Sequence, residues 1–157
     1  MPKLFTVTEA RELLPELRRL LAEANSELME LADVVRSANE RYLAAEEKMD
    51  QEGSPSGAAG DVENLRACRA EFQNAIEELS RTQKDYLRCL NKWVDEISAK
   101  GVLLRDLQEG LLDFPASQNG FDYFLCWKVG ESDIDHWHPT DEGFSGRKPL
   151  VTLDDYC

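Results

Sequence analysis

The sequence predicts a mainly α chain: a long antiparallel helical hairpin of coiled-coil type, followed by a small antiparallel β-sheet. Three observations carry this prediction. Apolar residues recur at alternating spacings of three and four through Met49 and again from Val62. A run of Gly, Ser, Pro and Ala, QEGSPSGAAG at 51–60, separates the two stripes. After Gly101 the period shortens, and short apolar runs alternate with turn residues. The implied division is 1–101 for the hairpin, with a mobile tip at 51–60. Residues 102–157 then form a β cassette whose irregular C-terminal tail packs on the hairpin base.

The first helix starts at Phe5-Thr6-Val7-Thr8-Glu9. Thr6 and Glu9 have the spacing of a capping box, in which each side chain accepts from the other's backbone N–H. Pro15 lacks an N–H and is expected to kink the helix or restart it. The stripe then runs Leu17, Leu20, Ala24, Leu28, Leu31, Val35, Ala38, Tyr42, Ala45, Met49. A helix from Pro15 to Asp50 would be about 54 Å long at 1.5 Å per residue. Asp61 is placed to cap the second helix. Its stripe is Val62, Leu65, Arg69, Phe72, Ile76, Leu79, Gln83, Tyr86, Leu90, Trp93, Ile97, so Arg69 and Gln83 are read as polar interruptions that set register at a cost in stability. Gly101 suits the left-handed residue that ends a helix. Leu13, Leu14, Leu21, Val34, Leu43, Leu87 and Val94 lie beside the stripes. This surplus apolar surface calls for cover from the cassette or from a second subunit, and a homodimer is the expectation.

In the cassette, 102–104 and 110–114 read as strands joined by a turn at Gln108-Glu109-Gly110. Ser117-Gln118-Asn119-Gly120 is a second turn, 121–129 the central strand, and 134–138 a fourth strand ended by Pro139. No connection is long enough for a parallel crossover, so the sheet is expected to meander. The chain beyond Asp141 is expected to be irregular.

Charge and composition narrow the function. The chain of 157 residues carries 31 acidic and 18 basic residues, a net charge of −13. That field repels phosphate backbones, and the nearest basic feature is the pair Arg18-Arg19, so no nucleic-acid partner is expected. No run of about 18 apolar residues exists, so no membrane partner is expected. The N-terminus lacks the apolar core of a signal peptide, and the four cysteines contain no C-x-x-C pair. A reducing, cytoplasmic setting is therefore expected.

The chemistry is concentrated in the cassette. Cys126, His136 and His138 are metal-ligand types, and Asp113, Glu131, Asp135, Asp141 and Glu142 add oxygens nearby. Residues i and i+2 of a strand share a face, so the two histidines point the same way. An odd connection between the last two strands would put Cys126 opposite His136. An even one would put it opposite Asp135. A set of Cys126, His136 and His138 would leave one position open on a divalent ion such as zinc. Asp113, flanked by Leu112 and Phe114, would be partly buried and needs a partner such as Arg147 or Arg105. Arg147, after Gly-Phe-Ser-Gly, can clamp an anion with Glu131 beside it, or tie the tail down. A cysteine among aromatics has a raised pKa, which argues against nucleophilic catalysis.

Phe5-Thr6, Glu9-Ala10 and Leu13-Leu14-Pro15-Glu16-Leu17, with Gly110-Leu111-Leu112-Asp113-Phe114-Pro115-Ala116, Leu125-Cys126-Trp127-Lys128-Val129-Gly130-Glu131, Trp137-His138 and Asp141-Glu142-Gly143-Phe144-Ser145-Gly146-Arg147, form a recognisable set. The chain resembles an uncharacterised bacterial family, domain of unknown function 2203, over nearly its whole length. The resemblance implies no activity. It marks His136 as the odd member of the cassette, and Cys126, Glu131, His138 and Arg147 as its better site residues. Two functions are carried forward. The first is a non-enzymatic interaction or scaffold protein acting through the hairpin. The alternative is a metal- or small-anion-binding protein, with hydrolase chemistry as an extension, in which Cys126, His136 and His138 hold the metal and Asp113, Glu131 and Arg147 hold the ligand.

Overall fold

A computed structural model describes residues 3–52 and 62–157. The order is two long helices, α1 (Val7–Glu52) and α2 (Val62–Ser98), then five strands: β1 (Leu103–Asp106), β2 (Leu111–Gln118), β3 (Phe121–Lys128), β4 (His136–Pro139) and β5 (Lys148–Pro149). The expected fold class is the one observed. Of the tip expected at 51–60, Gln51 and Glu52 belong to α1, while 53–60 and the cap at Asp61 lie outside the described residues. Two compact units emerge, 26–90 and a discontinuous one made of 1–25 and 91–157. Among the described residues, no helix is long and apolar enough to cross a membrane.

In the unit spanning 26–90 the helices run antiparallel. Arg41 pairs with Glu78 and Lys48 with Glu71, while the Tyr42 and Phe72 rings stack at 5.6 Å. On α1 the expected stripe is the inner one, with Leu28, Ala38 and Ala45 buried. On α2 the inner line has a different phase. Cys68, Ala75, Thr82 and Cys89 are buried at heptad spacing, and Leu65, Phe72, Leu79 and Tyr86 are half-buried beside them. Arg69 and Gln83, expected in the seam, are exposed. Small side chains let helix backbones approach closely, so the line of least bulk wins over the line of largest apolar residues. Thr82 is tolerated inside because its hydroxyl donates to the Leu79 carbonyl, 3.0 Å away.

The other unit holds the sheet. At the start of α1 the capping box forms as expected: Thr6 N–H donates to Glu9 Oε2 at 3.0 Å and Glu9 N–H to Thr6 Oγ1 at 3.1 Å. Pro15 lies inside α1 and does not restart it. The strand order is β1-β2-β3-β4-β5, every pair antiparallel. The β2–β3 hairpin turns on Asn119 and Gly120, with φ of 53° and 81°, the left-handed pair that matches strand twist. Gly110 has φ 66° and abuts Val129, so a Cβ there would lie 2.6 Å from the Val129 Cβ; only glycine fits.

Pleating separates the two faces. Leu112, Phe114, Ala116, Tyr123, Leu125, Trp127 and Trp137 form one buried face. Phe5 meets Phe114 edge-on at 5.3 Å, its N–H donates to the Pro115 carbonyl at 2.7 Å, and the Arg18 guanidinium lies over Trp127 at 5.5 Å. Arg18 also donates to the Glu131 and Ser132 carbonyls, and Arg11 pairs with Asp133. The first turns of α1 thus hold the β3–β4 connection. The tail is more ordered than expected. It forms 3-10 turns at Phe144–Gly146 and Leu150–Asp155 with β5 between them, and β4 covers 136–139 where 134–138 was expected. Tyr156 and Thr152 from the tail close over Trp137, which donates its indole N–H to Thr152 Oγ1 at 3.2 Å.

Candidate metal centre

The second face of the sheet carries the polar residues. The connection between Cys126 and His136 is odd, 127–135, so these two are direct partners, and Cys126 is also opposite Asp113. Asp113, Cys126 and His136 therefore form one row across β2, β3 and β4. Pro115, Phe124 and His138 form the next. From these rows the side chains sort into two groups.

The inner group is Asp113, Cys126 and His138. All three are buried, with a ligand atom from each lying within 4.8 Å of the others. His138 Nε2 is 3.0 Å from Asp113 Oδ1, and its Nδ1 is 2.8 Å from the Pro139 carbonyl. Both ring nitrogens face oxygen atoms. Asp113 Oδ2 accepts from Arg105 Nε at 2.8 Å, which settles the partner left open between Arg105 and Arg147. Arg105 is the exposed member, its guanidinium lying 5.3 Å over Phe124, whose ring packs on His138 at 5.4 Å.

Burial pushes the Cys126 thiol up to about 12, helped by the neighbouring Asp113 carboxylate. The sign for stability follows. Below about pH 9 the thiol is neutral in both folded and unfolded chains. Above it the unfolded chain ionises while the folded thiol keeps its proton, so folding weakens as pH rises towards 12. By about pH 10.5 the wild type should lose roughly 2 kcal/mol that a Cys126→Ala variant does not lose, at about 1.4 kcal/mol per pH unit. Urea midpoints of both proteins in chelator from about pH 8 to 10.5 check this; parallel pH profiles would refute it.

The outer group is Glu131, His136 and Arg147. Arg147 Nη2 lies 2.7 Å from both Glu131 oxygens, 3.1 Å from His136 Nδ1 and 3.5 Å from the Cys126 carbonyl. Glu131 is fixed further by Lys128 N–H, at 2.7 Å from its Oε1, and its carbonyl accepts from the Trp127 indole at 3.1 Å. The Phe144 ring lies under the guanidinium at 4.6 Å.

The structure thus brings Asp113 together with Cys126 and His138, and puts Glu131 with His136 and Arg147. Cys126 touches both groups, through its thiol in one and its carbonyl in the other. His136 shares a face with His138, as i and i+2 require, but stands outside the inner set, where Asp113 takes the third place. Asp135, Asp141 and Glu142 join neither group; Glu142 pairs with Lys148 at 3.1 Å. Arg105 was named only as a partner for Asp113, and its second role over Phe124 has no signal in the sequence.

The chain belongs to the family described as uncharacterized conserved protein (DUF2203), whose model matches residues 3–150. No curated protein and no solved structure matches it.

Proposed function

We propose that this protein binds a divalent transition metal such as zinc through Asp113, Cys126 and His138. The observation that carries the reading is the convergence of a carboxylate, a thiol and an imidazole within 4.8 Å in a buried site. The flanking hydrogen bonds suit it. A metal-binding histidine commonly anchors its other nitrogen on a carbonyl, as His138 Nδ1 does on Pro139. Arg105 on Asp113 Oδ2 plays the same orienting part for the carboxylate. Three protein ligands leave a fourth position for water. Binding displaces the proton of the thiol, so affinity rises with pH. The near-complete burial of all three residues favours retention of an ion over turnover of a substrate.

Metal analysis of protein purified without a histidine tag should find about one zinc-class ion per chain, lost in Cys126→Ser and His138→Ala. Added Zn2+ should raise the melting temperature of the chelator-treated wild type more than that of either variant. Absence of retained metal together with no thermal shift would sink the reading.

A second reading rests on a separate observation. Met29, Val34, Leu43 and Leu87 of the helical hairpin are 47–70% exposed. Large apolar side chains left on the hairpin surface are what a protein partner would cover, and a second copy of this chain is the simplest one. Light scattering should then give twice 17.8 kDa, with Val34→Glu/Leu87→Glu returning the mass to one chain. A constant single-chain mass across a wide concentration range would refute the dimer.

A further inference from the structure

Arg147 is partnered in an uneven way. Its Nη2 carries two hydrogens, yet four acceptors surround that nitrogen: Oε1 and Oε2 of Glu131, Nδ1 of His136 and the carbonyl of Cys126. Its Nε, by contrast, is buried and has no hydrogen-bond partner among the described residues. An arginine serving only to tie the tail to the sheet would spread its donors over the acceptors in a fork. Here the acceptors converge on one nitrogen, whose two hydrogens must be shared among four contacts.

We infer that Glu131, His136 and the Cys126 carbonyl form a second cation site, which the Arg147 guanidinium occupies in the metal-free chain. Three oxygens and one imidazole nitrogen, all pointing at one position, are a coordination set for a divalent first-row ion. The acceptors stand 2.7–3.5 Å from Nη2, and to reach about 2.0–2.3 Å from an ion the Glu131 oxygens must close in by about half an ångström and His136 and the Cys126 carbonyl by about 1 Å. The acceptor frame keeps these groups aimed at one position. Lys128 N–H holds the Glu131 carboxylate, the Trp127 indole and Arg18 hold its carbonyl, and the Cys126 carbonyl belongs to β3. Arg147 can withdraw, because it enters from the tail and rests on half-exposed Phe144. The guanidinium is thus a built-in competitor that lowers the affinity of the site for metal. This site uses the Cys126 carbonyl and not its thiol, so it stands or falls independently of the centre at Asp113, Cys126 and His138.

Cobalt(II) separates the two. A thiolate on cobalt gives a ligand-to-metal charge-transfer band, which the outer set cannot produce. Equilibrium dialysis of the chelator-treated full chain against Co2+, with spectra, should find two ions on the wild type, one of them carrying the band. Cys126→Ser should keep a single ion without the band, and His136→Ala only the ion with it. Arg147→Met should bind the bandless ion about tenfold more tightly than the wild type, the competitor being gone. Should Arg147→Met not fold, the wild type and His136→Ala decide by ion count alone. The inference is overturned if neither the wild type nor Arg147→Met binds an ion that His136→Ala lacks. A bandless ion in a protein that never shows the band would instead overturn the thiolate centre and leave the outer site standing.

Discussion

Asp113→Ala should destabilise the protein by about 2–4 kcal/mol, from the buried His138 nitrogen left without its partner and the space left behind. The Asp113 side chain is 3% exposed and lies between Arg105 on one oxygen and His138 on the other. Its loss leaves His138 Nε2 facing a void and strips the Arg105 guanidinium of its counter-charge. Asp113→Asn keeps the shape and separates charge from packing. It should cost less than alanine but more than 1 kcal/mol, because the amide presents only one acceptor oxygen to two donors. Urea unfolding of the three proteins, in chelator, measures both steps. A change below 1 kcal/mol for alanine would show that the inner group carries little of the fold's stability.

The other large effect is expected at Trp127. It is fully buried on the opposite face of β3, under Arg18 of α1, and its indole N–H donates to the Glu131 carbonyl. Trp127→Ala should cost about 3–5 kcal/mol from cavity formation and lost packing. Trp127→Phe refills most of the volume but leaves the Glu131 carbonyl short of a donor, for a loss of about 1–2 kcal/mol. The two substitutions should also differ in ligand behaviour. Phenylalanine should keep the inner site, because Cys126 points away from this face, while loosening Glu131 and weakening cobalt binding at the outer one. Equal weakening of both sites by Trp127→Phe would contradict this division of labour between the faces.

Much of this was legible in the chain. The three-and-four spacing announces the hairpin because helix packing demands an apolar line at that period. Asn119-Gly120 announces its turn because few other residues accept left-handed backbone at two successive positions. Two histidines at i and i+2 had to share a face. What stayed hidden has physical causes. The buried line of α2 is Cys68, Ala75, Thr82 and Cys89, residues too small to stand out against Phe72 or Ile76, although close helix packing favours them. The strand β5 is two residues long, below what any periodicity can show. The partition of the cassette was hidden because register and the choice between Arg105 and Arg147 depend on contacts across strands. Asp113 could be recognised as a buried acid needing a partner. That it would stand third beside Cys126 and His138, in place of His136, depended on which residues β2 sets opposite β3.

The discontinuity of the sheet-bearing unit has a consequence for the order of events during synthesis. Residues 26–90 form one continuous unit, so its two helical segments meet without waiting for the sheet. Phe5, by contrast, donates its N–H to Pro115 and packs on Phe114. Arg11 and Arg18 reach Asp133 and Glu131. The first turns of α1 must therefore wait, with their apolar side uncovered, until more than a hundred later residues have been translated. At roughly 5–20 residues per second that interval is on the order of ten seconds, long enough for a chaperone to engage the N-terminal turns before residues 91–157 complete their unit.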